Sequence, residues 1–155
     1  MPSVALVYEP LSVPVPILKG MPLTLELAQT LVSAAQAHAR DRDLHIAVAV
    51  VDEGGLLQAL IRMDAAPPLS SQIAEAKAAG AAVWHRDGEA LVGVQQERGA
   101  FFEAVSRMTR LPIIPAAGSV VIRRDGSVLG AVGVSGATSA EDLQCAEAGL
   151  AALGG

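Results

Sequence analysis

Aromatic residues are scarce in this chain: one Trp, one Tyr and two Phe make up 3% of 155 residues. A core without large rings has to be filled by Ala, Val, Leu and Ile, which sets helix and sheet at short distances. The single cysteine, Cys145, excludes an internal disulfide framework and any thiolate metal cluster built by one chain. Nothing near it in sequence supplies a base, so its expected role is packing. The three histidines, His38, His45 and His85, lack the i, i+4 or HxH spacing that puts two imidazoles on one metal, and no metal site is expected. There is no G-x-S-x-G, no P-loop and no G-x-G-x-x-G. The stretch GAVGVSG lacks the third glycine opening a helix at the right place, which leaves nucleotide binding without support. A net charge of -5 without a basic cluster argues against nucleic acid. No apolar run approaches the roughly 20 residues needed to span a bilayer, and the first residues carry no basic segment followed by an unbroken apolar one. A cytoplasmic chain with no membrane partner is the expectation.

What is present is an apolar share of 52%, enough in one chain of this length to bury a single core. Residues 1–22 carry five prolines, Pro2, Pro10, Pro14, Pro16 and Pro22, which predict an extended arm lying on the surface or on a neighbouring subunit. Residues 23–155 then form one domain. Thr24 is placed to cap a helix running to about Arg42, with Leu27, Leu31, Ala34, Ala35 and His38 on one side. His45 to Val51 and Leu56 to Ile61, joined by Asp52-Glu53-Gly54-Gly55, predict a hairpin of two well-buried strands. Pro67-Pro68 breaks the chain before Ser70 or Ser71 caps a helix from Gln72 to about Arg86, stopped by Asp87-Gly88. Shorter helices follow over Glu89 to Gln96 and Ala100 to Arg110. Ser119 to Arg124 and Ser127 to Val134 predict a second hairpin, turning at Asp125-Gly126. A last helix runs from Ala140 to Leu153. Paired hairpins with segregated helices define an α+β domain, an antiparallel sheet of two hairpins flanked by helices.

The densest unit is residues 125–149, DGSVLGAVGVSGATSAEDLQCAEAG. Gly130 and Gly133 interrupt an apolar strand where a backbone or a ligand can approach closely. Thr138 and Glu141 match a capping box, so a helix start opens beside Ser135 and Gly136 with free N–H donors. The polar residues that such a fold can gather are Arg62, Asp64, Ser70, Lys77, Ser119, Ser135, Glu141 and Asp142. Arg62 can grip a planar carboxylate with two parallel hydrogen bonds, and Lys77 offers a point charge to the same kind of group. Asp64 or Glu141 can serve as general acid if burial raises its pKa. Equally, Arg62 and Asp64 can pair with nearby helix ends and merely stabilise the fold.

In their order along residues 23–153, VVDEGG, RMDAA, SSQIAEAKAAGAA, DGSVLGAVGVSG and AEDLQCAEAG resemble the GlcG/HbpS-like family, the haem-degrading or haem-binding domain also found at the C-terminus of some corrinoid adenosyltransferases. The resemblance implies an antiparallel sheet flanked by helices and assembly into dimers or larger rings, commonly octamers. It also implies a small-molecule pocket for haem, another tetrapyrrole or a planar aromatic ligand. One branch resembles a cofactor-free lyase that turns 4-hydroxylaminobenzoate into protocatechuate and ammonia. In that reading Arg62 or Lys77 holds the carboxylate, and Asp64 or Glu141 is the acid. Ser70, Ser119, Ser135 and Gly136 complete the expected ligand contacts. No cofactor is required, and haem is one ligand the resemblance allows, with His85 and His38 as its candidate iron ligands. Where relatives show a Gly-Gly-x-Pro-Ile approach to the second hairpin, this chain has Ala116-Ala117-Gly118-Ser119-Val120, which alters that wall.

Overall fold

The computed structural model describes residues 22–154, so the arm expected over residues 1–22 falls outside the described residues except for Pro22. Helix α1 (Leu25–Arg40) starts at Thr24, whose Oγ1 accepts the Leu27 N–H at 3.2 Å. Its buried stripe is Ala28, Leu31, Val32, Ala35 and Ala39, so Leu27, Ala34 and His38 stand at the flank of that stripe. It ends two residues before the expected Arg42, where Asp43 takes a left-handed φ of +54°.

Strands β1 (Ala47–Asp52) and β2 (Leu57–Arg62) form the first hairpin, closed by Asp52 Oδ1, which accepts the N–H groups of Gly54 and Leu56 at 2.9 Å each. Only β1 is well buried. The sheet order β2-β1-β4-β3 puts β2 on an edge, where it is half-exposed, and only Ala59 and Ile61 pack against the main core.

Helix α2 (Ser70–Trp84) lacks the side-chain cap expected from Ser70 or Ser71. The Ser70 hydroxyl turns back instead and donates to the Pro67 carbonyl at 2.6 Å, leaving Leu69 in the cap position. It stops at His85, which is left-handed (φ +53°), before Asp87-Gly88 is reached. Asp87 opens α3 (Gly88–Glu97) and uses its Oδ1 to accept the Val121 N–H at 2.8 Å. Helix α4 (Gly99–Ser106) is shorter than the expected span to Arg110, because the chain turns at Thr109, whose hydroxyl lies 2.8 and 2.6 Å from the Ser106 and Leu111 carbonyls.

Strands β3 (Ser119–Arg124) and β4 (Ser127–Ser135) pair antiparallel around the Asp125-Gly126 turn, and β4 pairs antiparallel with β1. Helix α5 (Ser139–Ala151) closes the chain with the capping box, Glu141 N–H to Thr138 Oγ1 at 3.3 Å and Thr138 N–H to Glu141 Oε2 at 3.0 Å.

The result is an α+β domain in three layers. Val48, Val50, Val132 and Val134 point to α1 and α5, while Ala47, Ala49, Val51 and Ala131 point to α2. Strand alternation sends successive residues to opposite faces, and both faces of β1 and β4 are covered, which explains their nearly unbroken apolar runs. Gly133 faces α2, and a Cβ there would run into the Ala74 carbonyl and lie 2.7 Å from the Ala78 backbone nitrogen. The close approach read from the glycines of β4 is therefore made by backbone, that of α2 at Gly133 and that of β1 at Val51 beside Gly130. Trp84, Leu91, Phe102 and Ile113 form a separate apolar cluster under α3 and α4.

Candidate functional site

Strand register collects the polar residues at one end of the sheet. Arg62 pairs with Ala47, and Ala47 pairs with Ser135, so these three form one row across β2, β1 and β4. At about 4.8 Å per strand, Arg62 and Ser135 stand roughly 10 Å apart on either side of β1. Ser119, opposite Gly133, begins β3 at the same end.

One half of this end is closed. Lys77 reaches from α2 past the end of β4 to α5, where its Nζ lies 3.0 Å from Asp142 Oδ2 and donates to the Val134 carbonyl at 3.0 Å. Asp142 Oδ1 accepts the Ala137 N–H at 3.1 Å. Both side chains are buried, and Gly118 closes over them: a Cβ on it would come within 2.8 Å of the Asp142 Cβ and 3.0 Å of Lys77 Nζ. Burial pushes the Asp142 carboxyl above its ordinary value, and the neighbouring Lys77 ammonium offsets part of that rise. The pair pins two helices from opposite faces of the sheet. Ser119 is buried beside Gly88, and its hydroxyl has no hydrogen-bond partner among the described residues. Glu141 is tied to Thr138 at the surface, and those hydrogen bonds hold its carboxyl below the usual carboxylate value.

The other half is open. Gln36, Arg40, His45, Arg62, Met63 and Asp64 line a basin of about 360 Å³. Arg62 donates through Nη1 to the Ala66 carbonyl at 3.0 Å, which orients the guanidinium and leaves its remaining donors uncommitted within the described residues. Gly136, with φ +132°, packs against the wall: a Cβ on it would lie 2.5 Å from the His45 carbonyl oxygen. Arg62 and Asp64 thus share the basin, while Lys77, Ser119 and Asp142 lie in the closed half, Glu141 at a helix cap and Ser70 at the Pro67 turn. Gln36, Arg40, His45 and Met63 were not singled out from sequence as basin residues. The signal available was the i, i+4 spacing of Gln36 and Arg40 on the last turns of α1, followed by only six residues before β1.

Neither histidine first considered as an iron ligand lines this basin. His85 is exposed, and its carbonyl accepts from Arg123 at 2.7 Å; the Nε2 of His38 is buried without a partner among the described residues. Cys145 is buried, and burial pushes its thiol up to about 11. A larger cleft of about 600 Å³ runs beside β3 between Leu27, Val120, Leu129, Leu150 and Leu153, with Arg123 and Arg124 on its lining. Among the described residues, no His, Met, Cys or Tyr lines it.

The chain belongs to the HbpS-like family of haem-degrading proteins, whose family model matches residues 23–151. It is 34% identical to protein GlcG of Escherichia coli strain K12 over 113 residues, 73% of this chain and 81% of that protein. Its fold superimposes on the solved structure of HbpS with a TM-score of 0.79 at 30% identity, covering 88% of this chain and 94% of that one. A solved PduOC complex with haem matches with a TM-score of 0.77 at 26% identity, covering 85% and 95% of the two chains.

Proposed function

We propose that this chain binds haem, another tetrapyrrole or a planar aromatic acid in the basin beside Arg62. The lining of that basin carries the reading. His45 and Met63 are both side-chain types that ligate haem iron, and they share the wall with Arg40 and Arg62, which suit carboxylates such as haem propionates. The donor set therefore fits haem, and the complex formed by PduOC is a precedent among its relatives. A bound haem would supply a redox-active iron. The chain's own part is to hold the carboxylates with Arg40 and Arg62 and to offer His45 or Met63 to the metal. The wider cleft along β3, with no iron-ligating side chain among the described residues, suits haem less well.

Asp64 in the same basin favours a second reading, lyase activity on an aromatic hydroxylamine acid. Arg62 would hold the substrate carboxylate while Asp64 protonates the departing N-hydroxyl oxygen. That oxygen leaves as water, one water adds to the electron-poor ring at the carbon beside the nitrogen-bearing one, and a second water replaces the nitrogen as ammonia leaves, so that one water is consumed net and the N–O bond serves as internal oxidant. Glu141, engaged in its capping box, is less suited to that role.

Haemin titrations followed by the Soret band, run beside ammonia release from 4-hydroxylaminobenzoate, separate the two readings. Saturable Soret changes that weaken in His45→Ala and Arg62→Ala support haem binding. Ammonia release that Asp64→Asn abolishes supports the lyase. A protein that does neither removes both.

A further inference from the structure

We propose that the cleft beside β3 is the seat of the protein's own N-terminal segment, residues 13–18, Val-Pro-Val-Pro-Ile-Leu, from the same chain. Residues 1–21 lie outside the described residues, and the position where the described chain begins decides where they emerge. Leu23 is buried in the core cluster whose half-buried members Leu27, Val120, Leu150 and Leu153 line the cleft. Leu27, in the first turn of α1, itself lines this cleft of about 600 Å³ with its mostly apolar wall, so the chain before Leu23 joins the fold about one helical turn from it. Leu18 and Val13 precede Leu23 by five and ten residues. An extended chain of those lengths spans at most roughly 17 and 35 Å, enough to lie along the cleft without leaving its own molecule.

The chemistry of the segment matches the wall and the hydrogen-bonding state of β3. Although β3 is an edge strand, the Val121 N–H is already bonded to Asp87 Oδ1 at 2.8 Å, which obstructs addition of a regular strand. A segment with prolines at alternate positions has too few N–H groups for such a ladder. Proline fixes φ near its extended value beforehand, so a segment of this composition would lie in the cleft at little entropic cost. Lys19, just beyond it, suits the Glu147 carboxylate on the cleft lining.

Cysteine pairs in the full chain test the proposal. Ile17→Cys with Leu153→Cys, and Val15→Cys with Leu153→Cys, are oxidised and run on a non-reducing denaturing gel; native Cys145 is buried. The expected result is a disulfide within one chain from at least one pair, seen as a faster monomer band with loss of free thiol. In a separate variant, Ile17→Asp is expected to raise 8-anilinonaphthalene-1-sulfonate fluorescence, because the apolar wall is uncovered. Disulfide-linked dimers, which would place a neighbouring copy's arm in the cleft, overturn the proposal. So does the absence of an intrachain disulfide from both pairs, or unchanged fluorescence in Ile17→Asp.

Discussion

Arg62 lines the basin and keeps one guanidinium nitrogen on the Ala66 carbonyl, with its remaining donors uncommitted among the described residues. Arg62→Ala is expected to weaken binding of haemin or an aromatic acid by about tenfold or more, and Arg62→Lys to leave most of that loss in place, because only the planar fork makes paired hydrogen bonds to a carboxylate. Equal affinities in a fluorescence or absorbance titration would remove Arg62 from the site. Lys77 and Asp142 present the opposite case, a charged pair closed off from solvent. With its folded pKa raised, Asp142 binds its proton more tightly folded than unfolded. The stability it contributes is greatest below its ordinary value and is lost as pH rises through the folded value. Lys77→Met is therefore expected to cost about 3–5 kcal/mol by stranding a buried carboxylate, whereas Lys77→Met with Asp142→Leu should recover most of that loss in urea melts. A double variant as unstable as the single one would show that the ion pair is itself stabilising. Cys145, its thiol pushed up to about 11 by burial, is expected to react with a thiol reagent no faster than the protein unfolds.

At the scale of elements, α5 depends on its first turn. Thr138→Ala removes the hydroxyl of the capping box and is expected to cost about 1 kcal/mol. Glu141 has a folded pKa below its ordinary value, so its contribution is present above that value and lost as pH falls through the folded one. Thermal melts between about pH 6 and pH 3 should then fall less steeply in Glu141→Gln than in the wild type. The turn from β4 into α5 is constrained by backbone contact. Gly136 has a positive φ and faces the His45 carbonyl at a distance that excludes a side chain, so Gly136→Val is expected to lower the melting temperature and displace His45. Full stability with unchanged ligand affinity would contradict both parts. Gly133 has a different reason to be small, since the α2 backbone rests on it.

For the whole molecule, the exposed apolar residues Leu56, Leu57, Leu60, Phe101 and Met108, the last 84% exposed, are more surface than a monomer gains from leaving bare. We expect a homo-oligomer at micromolar concentration, and a monomer mass by light scattering would refute it. Among the described residues no helix is long and apolar enough to cross a membrane. The order of helices and hairpins was legible in the sequence because each element carries its own local signal: Thr24 and Thr138 as caps, Asp125-Gly126 as a turn, alternating or continuous apolar runs as strands. The edge position of β2 was not legible, since Leu57 to Ile61 reads as apolar whether or not another strand covers it. Ser70 could not be told from a cap, because its hydroxyl chose between an N–H ahead and a carbonyl behind. Arg62 and Asp64 stood out by residue type alone, yet their companions Gln36, Arg40 and His45 come from another helix and the start of another strand, and only strand register and the short α1–β1 connection bring them together. The sequence by itself determined the elements, the α+β class and the family, because caps, turns and apolar periodicity act within a few residues. Which polar groups are sealed and which are open was decided only by tertiary structure, because burial depends on what the distant layers cover: α2 and α5 close over Lys77 and Asp142 and leave Arg62 facing solvent.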